Sequence, residues 1–173
     1  MSLGVPERAR RIGTFRALEV RLMETAAGWT PTTPEMEAKV MFGRHIWDFA
    51  QHADALGRRT FELRQRAQQS FPPSDAYTAL LDEVLAVEGT AARLAALYDG
   101  LLPAVRRRYE EYAAAVDAVV DQPTLVIVER ILADLGRQRA EADRVRRELG
   151  LATPGGEPLL ARERALPLLS AAS

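Results

Sequence analysis

The stretch that decides the fold is Lys39–Leu63, which reads KVMFGRHIWDFAQHADALGRRTFEL. Its apolar residues recur at the spacing of one helical face. Both histidines of the chain, His45 and His52, lie on that face, two turns and about 10 Å apart along the axis. Asp48 stands between them, within one turn of each. Because burying an unpaired polar group costs about 1–3 kcal/mol, the stretch predicts a core helix with a partnered polar centre.

Similar patterns predict helices along most of the remaining chain. The expected segments are Pro6–Ala27, Thr33–Gln68, Asp75–Tyr98, Pro103–Val120 and Pro123–Leu149. Thr33 is expected to cap the second helix and Ser74 or Asp75 the third, and Gly150 closes the last. Long helices joined by short turns are typical of an antiparallel bundle. We therefore expect a helical bundle over residues 1–150 and an extended or partly disordered tail over 151–173, where TPGGEP from Thr153 to Pro158 interrupts any helix.

The composition excludes several classes of protein. A chain of 173 residues with 47% hydrophobic residues is sufficient for one domain with a full core. The absence of cysteine excludes disulfides, thiolate nucleophiles and iron–sulfur clusters. With a formal net charge of −1, the chain has no overall positive potential that would attract nucleic acid. No apolar run approaches the roughly 18–20 residues that span a bilayer. Met1–Arg11 lacks the apolar core of a signal peptide, so the expected location is the cytoplasm.

Each long helix places an acidic residue among its apolar positions when it is projected at 3.6 residues per turn. Glu19 does so in the first helix, Glu88 in the third and Asp134 in the last, where Glu129 is a competitor one turn earlier. Carboxylates together with imidazoles suit iron, manganese or zinc. The candidate metal ligands are therefore Glu19, His45, Asp48, His52, Glu88 and Asp134.

These residues give the chain a resemblance to the ferritin-like superfamily of helical bundles. The resemblance rests on Glu19, Lys39–Leu63, Glu88 and the helix start at Asp121–Thr124. It implies an antiparallel four-helix bundle with long helices, an extra helical segment after Pro103 and a C-terminal tail. It also implies paired iron or manganese ions, held by a Glu from each of two helices and a Glu-x-x-His motif from each of the other two.

The chain departs from that ligand pattern. It contains no Glu-x-x-His; the second helix offers His45-x-x-Asp48 and Asp48-x-x-x-His52 instead, and the last helix has no histidine. Two turns also separate His45 from His52, so one ion cannot bind both without distortion of the helix. A ligand from the last helix would have to come from Asp134, Glu129, Gln138 or Glu141.

Two functions stay open at this point. The first is a binding or assembly protein, expected as a homodimer, in which the histidines are hydrogen-bonded core residues and no standard di-iron site forms. The alternative is an iron- or manganese-dependent oxidase or oxygenase that acts on a small molecule. A small-molecule ligand is compatible with either function, whereas neither nucleic acid nor a membrane is an expected partner.

Overall fold

The computed structural model describes residues 3–152 and 155–170, and every regular element in those ranges is helical. In chain order the elements are α1 (Val5–Trp29), α2 (Met36–Glu62), α3 (Asp75–Leu85), α4 (Thr90–Leu94), a π-helical turn (Ala95–Leu101), α5 (Leu102–Ala115), α6 (Gln122–Glu148) and α7 (Glu157–Arg164). The all-α prediction is confirmed. Within the described ranges, none of these helices is both long and apolar enough to cross a membrane.

The helices α1 and α2 form an antiparallel hairpin and are the most extensively packed pair. Arg93 of α4 holds the turn between them. Its guanidinium donates to the Thr33 hydroxyl at 3.0 Å and to the Trp29 carbonyl at 3.3 Å, and it lies over the Trp29 ring. The rod formed by α4, the π-helical turn and α5 therefore starts at this end of the hairpin, which we call the upper end.

A buried carboxylate joins the four long helical rods at the lower end. Asp121, which is fully buried, precedes α6 and accepts hydrogen bonds from Arg8 of α1 at 3.3 Å and Arg59 of α2 at 2.9 Å. It also accepts from Tyr112 of α5 and from Thr124 of α6. Because α6 starts here and returns beside α2, the four rods run up, down, down and up.

A single crossover carries the chain from the lower end of α2 back to the upper end. The Phe71 amide donates to the Gly13 carbonyl at 3.1 Å, and Ser74 caps α3 as predicted. The helix α3 then runs alongside α1 in the same direction. At the upper end the Trp29 indole donates to the Leu85 carbonyl at 2.9 Å.

The prediction of one helix from Asp75 to Tyr98 is wrong. The chain is not helical between α3 and α4, where Gly89 takes a φ of 83° that favours glycine. The third long rod is instead α4, the π-helical turn and α5, so the segment after Pro103 belongs to the bundle and is not an extra piece. Pro103 does not break this rod because the wider turn before it relieves the clash of its ring with the backbone.

The second helix is shorter than predicted, whereas the last agrees with its prediction. The structure begins α2 at Met36, because the Thr33 hydroxyl donates to the Trp29 carbonyl at 2.8 Å instead of capping α2. The same helix ends at Glu62, six residues before the expected Gln68. At the end of α6, Gly150 takes a φ of 62°, as expected of a glycine that closes a helix.

The C-terminal segment packs back on the bundle. Glu163 of α7 is fully buried and accepts from Arg107 at 2.6 Å and from Arg108 at 2.7 Å, both on α5. Further along, the Leu168 carbonyl accepts from the Ser74 amide at 2.9 Å. Within the tail expected to be extended or partly disordered, residues 157–164 are therefore helical, and positions 153–154 and 171–173 lie outside the described residues.

Candidate functional site

The helix α2 turns both histidines toward the bundle interior, as the sequence predicted. The side chains of His45 and His52 are almost completely buried, with 0% and 2% exposure. Phe42, Phe49 and Leu56 share their face and are fully buried. The apolar face therefore positions two imidazole rings two turns apart. Each ring has two nitrogens, Nδ1 and Nε2, that need hydrogen-bond partners in the core.

His52 lies between two carboxylates. Its Nδ1 is 3.1 Å from Glu19 Oε2 of α1, and its Nε2 is 3.1 Å from Asp134 Oδ2 of α6. The other oxygen of the buried Glu19 accepts from the Tyr109 hydroxyl of α5 at 2.7 Å. This chain, which we call the lower relay (Tyr109, Glu19, His52 and Asp134), links all four long rods.

His45 lies between a phenol and a carboxylate. Its Nδ1 is 2.6 Å from the hydroxyl of Tyr98, which the π-helical turn carries into the core. Its Nε2 is 3.0 Å from Glu141 Oε2 of α6, and Arg44 donates to the other oxygen of Glu141. We call Tyr98, His45 and Glu141 the upper relay. A wide helical turn that delivers a side chain to a polar centre is a common use of π geometry.

A half-buried seam between α2 and α6 extends from Asp134, the outer end of the lower relay, to Asp48. Arg137 donates to Asp134 at 2.9 Å and to Asp48 at 2.8 Å. Gln138 also donates to Asp48, at 3.1 Å. Asp48 is thus paired with α6 and makes no hydrogen bond with either histidine of its own helix. Arg137 thus balances the charges of Asp134 and Asp48.

The surroundings shift the pKa values of the two histidines in opposite directions. Burial lowers the pKa of His45, because the hydrogen bond and charge of Glu141 do not compensate for lost hydration. Burial also disfavours a charged His52, but the hydrogen bonds and charges of Glu19 and Asp134 outweigh it and raise the pKa of His52. A ring with a carboxylate at each nitrogen needs both N–H groups, which only the cation has.

With His45 neutral, the hydrogen bonds of the upper relay all point the same way, from Tyr98 through His45 to Glu141. If Nε2 carries the hydrogen and donates to Glu141, then Nδ1 accepts from the Tyr98 hydroxyl. Burial, with the charges of Glu141 and Asp48, raises the pKa of Tyr98 well above its ordinary value, so this phenol keeps its proton. The upper relay is therefore satisfied with a neutral ring, and the lower relay with a charged one.

Four of the six predicted site residues meet in these relays. The lower relay contains Glu19, His52 and Asp134, the upper relay contains His45, and Asp48 belongs to the seam. The expectation that Glu88 faces inward is wrong: it is exposed in the turn between α3 and α4, because α3 ends before reaching it.

The six predicted residues did not include Glu141, which was named only as an alternative ligand from the last helix, or the tyrosines Tyr98 and Tyr109. A signal for Glu141 is present in the sequence: Asp134 and Glu141 are seven residues apart, as are His45 and His52. On antiparallel helices such equal spacings bring two pairs together at once. The tyrosines carry no comparable signal in the sequence. The position of the Tyr98 side chain depends on the π-helical turn, and that of Tyr109 depends on how α5 is aligned with α1.

The residues present do not fit the paired-metal site that the family resemblance implies. Both nitrogens of each ring are engaged by protein groups, and Glu19 and Asp134 lie on opposite sides of His52, so the three cannot converge on one ion. Across residues 3–152 and 155–170, no group of three or more His, Cys, Asp or Glu side chains is arranged to hold a metal ion. The iron or manganese expectation thus lacks a ligand set in this part of the chain.

The fold and site define an all-helical protein with a hydrogen-bonded histidine–carboxylate centre. No protein-family model, curated protein or solved structure matches this chain.

Proposed function

We propose that this chain is a ferritin-like bundle that works as a binding or assembly protein and not through a di-iron centre. The up, down, down, up order with one crossover supports the ferritin-like assignment, because one long crossover distinguishes ferritin-like bundles from simple up-and-down ones. The proposal includes assembly as a homodimer.

The observation that carries the proposal is the complete pairing of both imidazole rings. Tyr98 and Glu141 occupy the two nitrogens of His45, and Glu19 and Asp134 occupy those of His52. A metal-binding or catalytic histidine needs a nitrogen that can reach a ligand or substrate. In this centre the histidines instead hold α1, the π-helical turn and α6 to α2.

The outer surface of α2 supports the binding or assembly part of the proposal. Three large apolar side chains of this helix, Met36, Trp47 and Phe61, are each about two-thirds exposed. Exposed apolar side chains that line one face of a helix indicate an interaction surface. Single exposed apolar side chains scattered over a protein do not.

Metal analysis tests the proposal directly. The full chain is purified without chelator, incubated with Fe²⁺, Mn²⁺ or Zn²⁺ in turn, desalted and assayed for bound metal, with the H52Q variant as the matched control. We expect no stoichiometric metal in either protein. A stoichiometric metal that is retained by the native chain and lost in H52Q would overturn the proposal and restore the metal-dependent oxidase alternative.

A further inference from the structure

The outward face of α2 carries a stripe whose large apolar side chains are left exposed by the described part of the chain. Its large members are Met36, Val40, Trp47 and Phe61, which are 65%, 49%, 66% and 65% exposed. The opposite face of the same helix already fills the core. We call the outward line of residues the α2 stripe; it consists of Met36, Val40, Gly43, Trp47, Ala50, Asp54 and Phe61.

The spacing of the α2 stripe is that of a seam between two helices. From Met36 to Trp47 its members alternate steps of four and three residues, which is the a/d pattern of paired helices. Gly43 lies exposed within the stripe, and no atom comes within 4 Å of the position that a Cβ would take there. The stripe thus combines a bulky indole with an open notch one turn away.

We infer that the α2 stripe packs antiparallel against the α2 stripe of a second copy of this chain. This inference rests on the proposed assembly function and names its partner. In a pairing with twofold symmetry each contact between two residues occurs twice, because either residue can come from either copy. The alignment that superimposes the two stripes places Trp47 against Ala50 of the second copy, Gly43 against Asp54 and Met36 against Phe61.

Side-chain volume favours this alignment. The indole of Trp47 meets a methyl group, so the largest residue of the stripe faces one of the smallest. Met36 and Phe61 are 25 positions apart, about 37 Å along the helix, so the two ends of the contact are closed by the same apolar pair. An antiparallel contact therefore buries Trp47 at the centre, and Met36 and Phe61 at the ends, in each copy.

Charge also favours an antiparallel partner of the same sequence. The flank of the stripe carries the exposed acid Glu37 at its N-terminal end. At its C-terminal end it carries the exposed Arg58, which is paired with Asp54 at 2.8 Å, and Glu62, which is paired with Arg59 at 2.6 Å. Reversal of a second copy brings Glu37 opposite Arg58 at both ends. A parallel pairing would instead place Lys39 beside Arg44 of the second copy. In the reversed pairing Arg58 therefore lies between Asp54 of its own copy and Glu37 of the other.

Disulfide cross-linking of single-cysteine variants tests the pairing, because the native chain contains no cysteine. The variants are G43C and D54C. Mixed in equal amounts and oxidised, they should form a covalent heterodimer, since positions 43 and 54 face each other. Either variant alone should stay uncross-linked, because like positions would then be about 16 Å apart along the axis, beyond the roughly 7 Å between Cα atoms that a disulfide spans.

The control variant is V119C, at a residue that is 89% exposed and lies off the stripe. It should not cross-link with any other variant. Self-cross-linking of G43C and D54C to the level of the mixture would overturn the antiparallel pairing, as would the absence of covalent dimer in the mixture.

Mass measurement without cysteines gives a second readout. We expect the native chain to elute at twice its mass of 19.1 kDa and the W47D variant to elute as a monomer with unchanged helicity. A native chain that stays dimeric when Trp47 is replaced would overturn the pairing and leave the proposed homodimer intact, whereas a monomeric native chain would overturn both. A dimer that binds stoichiometric metal would overturn the proposed function and leave the pairing intact.

Discussion

The two relays use the same helix, the same residue type and the same partner helix, yet they favour opposite charge states. The upper relay gives His45 one phenol and one carboxylate, and burial lowers its pKa. The lower relay gives His52 two carboxylates, which raise its pKa despite similar burial. Replacing a single partner, a phenol by a carboxylate, therefore decides whether a buried imidazole is neutral or charged.

The largest expected difference between the relays is in the cost of losing each histidine. H52L leaves the fully buried Glu19 carboxylate without its cation and should lower the free energy of unfolding by about 3–5 kcal/mol. H45L leaves the Tyr98 hydroxyl unpaired, but Arg44 still neutralises Glu141, so the loss should be about 1–3 kcal/mol. Urea unfolding of both variants measures the difference.

A second substitution serves as the control for that comparison. In H52L the further change E19M removes the stranded charge and should restore part of the lost stability, because apolar replacement of a buried ion pair is often tolerated. Equal losses in H52L and H45L, with no recovery in the double variant, would contradict a charged lower relay.

The tyrosines should differ in the same direction by a smaller amount. The Tyr109 hydroxyl donates to the Glu19 carboxylate, and removal of a hydrogen bond to a charged group costs about 1.5–3 kcal/mol. The Tyr98 hydroxyl donates to a neutral ring, for which the cost is about 0.5–1.5 kcal/mol. Unfolding of Y109F and Y98F measures both, and a larger loss in Y98F would reverse the assignment of charge.

The smallest expected effect is in the pH dependence of stability, where the two histidines should act in opposite directions. The pKa of His52 is raised, so its stabilisation is complete below the unfolded value of about 6.5 and is lost as the pH rises through the folded pKa. The pKa of His45 is lowered, so its contribution is present above about 6.5 and is lost as the pH falls toward the folded pKa. Asp134 and Glu141 have lowered pKa values and remain ionised across this window.

Unfolding measured from pH 5 to 8 on the native chain, H52L and H45L should therefore separate the two rings. The stability difference between the native chain and H52L should shrink toward pH 8, and the difference from H45L should shrink toward pH 5. Direct titration of the two imidazoles by NMR should give one midpoint on each side of about 6.5. Coinciding midpoints would refute the opposite shifts.

The sequence predicted the parts of the fold that repeat at helical spacing. The buried faces of α1, α2 and α6 follow from their apolar periodicity, and so does the inward placement of Glu19, His45 and His52. The predicted third helix was wrong because the apolar residues Leu81, Val84, Ala91 and Ala95 keep a helical spacing across residues 87–89, where the backbone leaves the helix. The π-helical turn adds a further offset that a fixed period of 3.6 residues cannot represent.

The candidate site was predictable to the extent that its residues lie on regular helices. Asp134 came from the projection of α6, and Glu141 could have come from the matched spacing of seven residues. Tyr98 could not, because its position depends on the wide turn before Pro103. The ion pairs of Arg137 also depend on tertiary placement, since one guanidinium reaches both α2 and its own helix.

The single crossover has a consequence for the order in which the chain folds. Glu19 and His52 belong to the α1–α2 hairpin and are 33 residues apart, so a local structure can bring them together early. Both partners of His45 are remote, at 53 and 96 residues, and must wait until the rod of α4 and α5 and then α6 have returned. We therefore expect the lower relay to begin within a nascent hairpin, and the upper relay to form only when the last helix docks and closes the bundle.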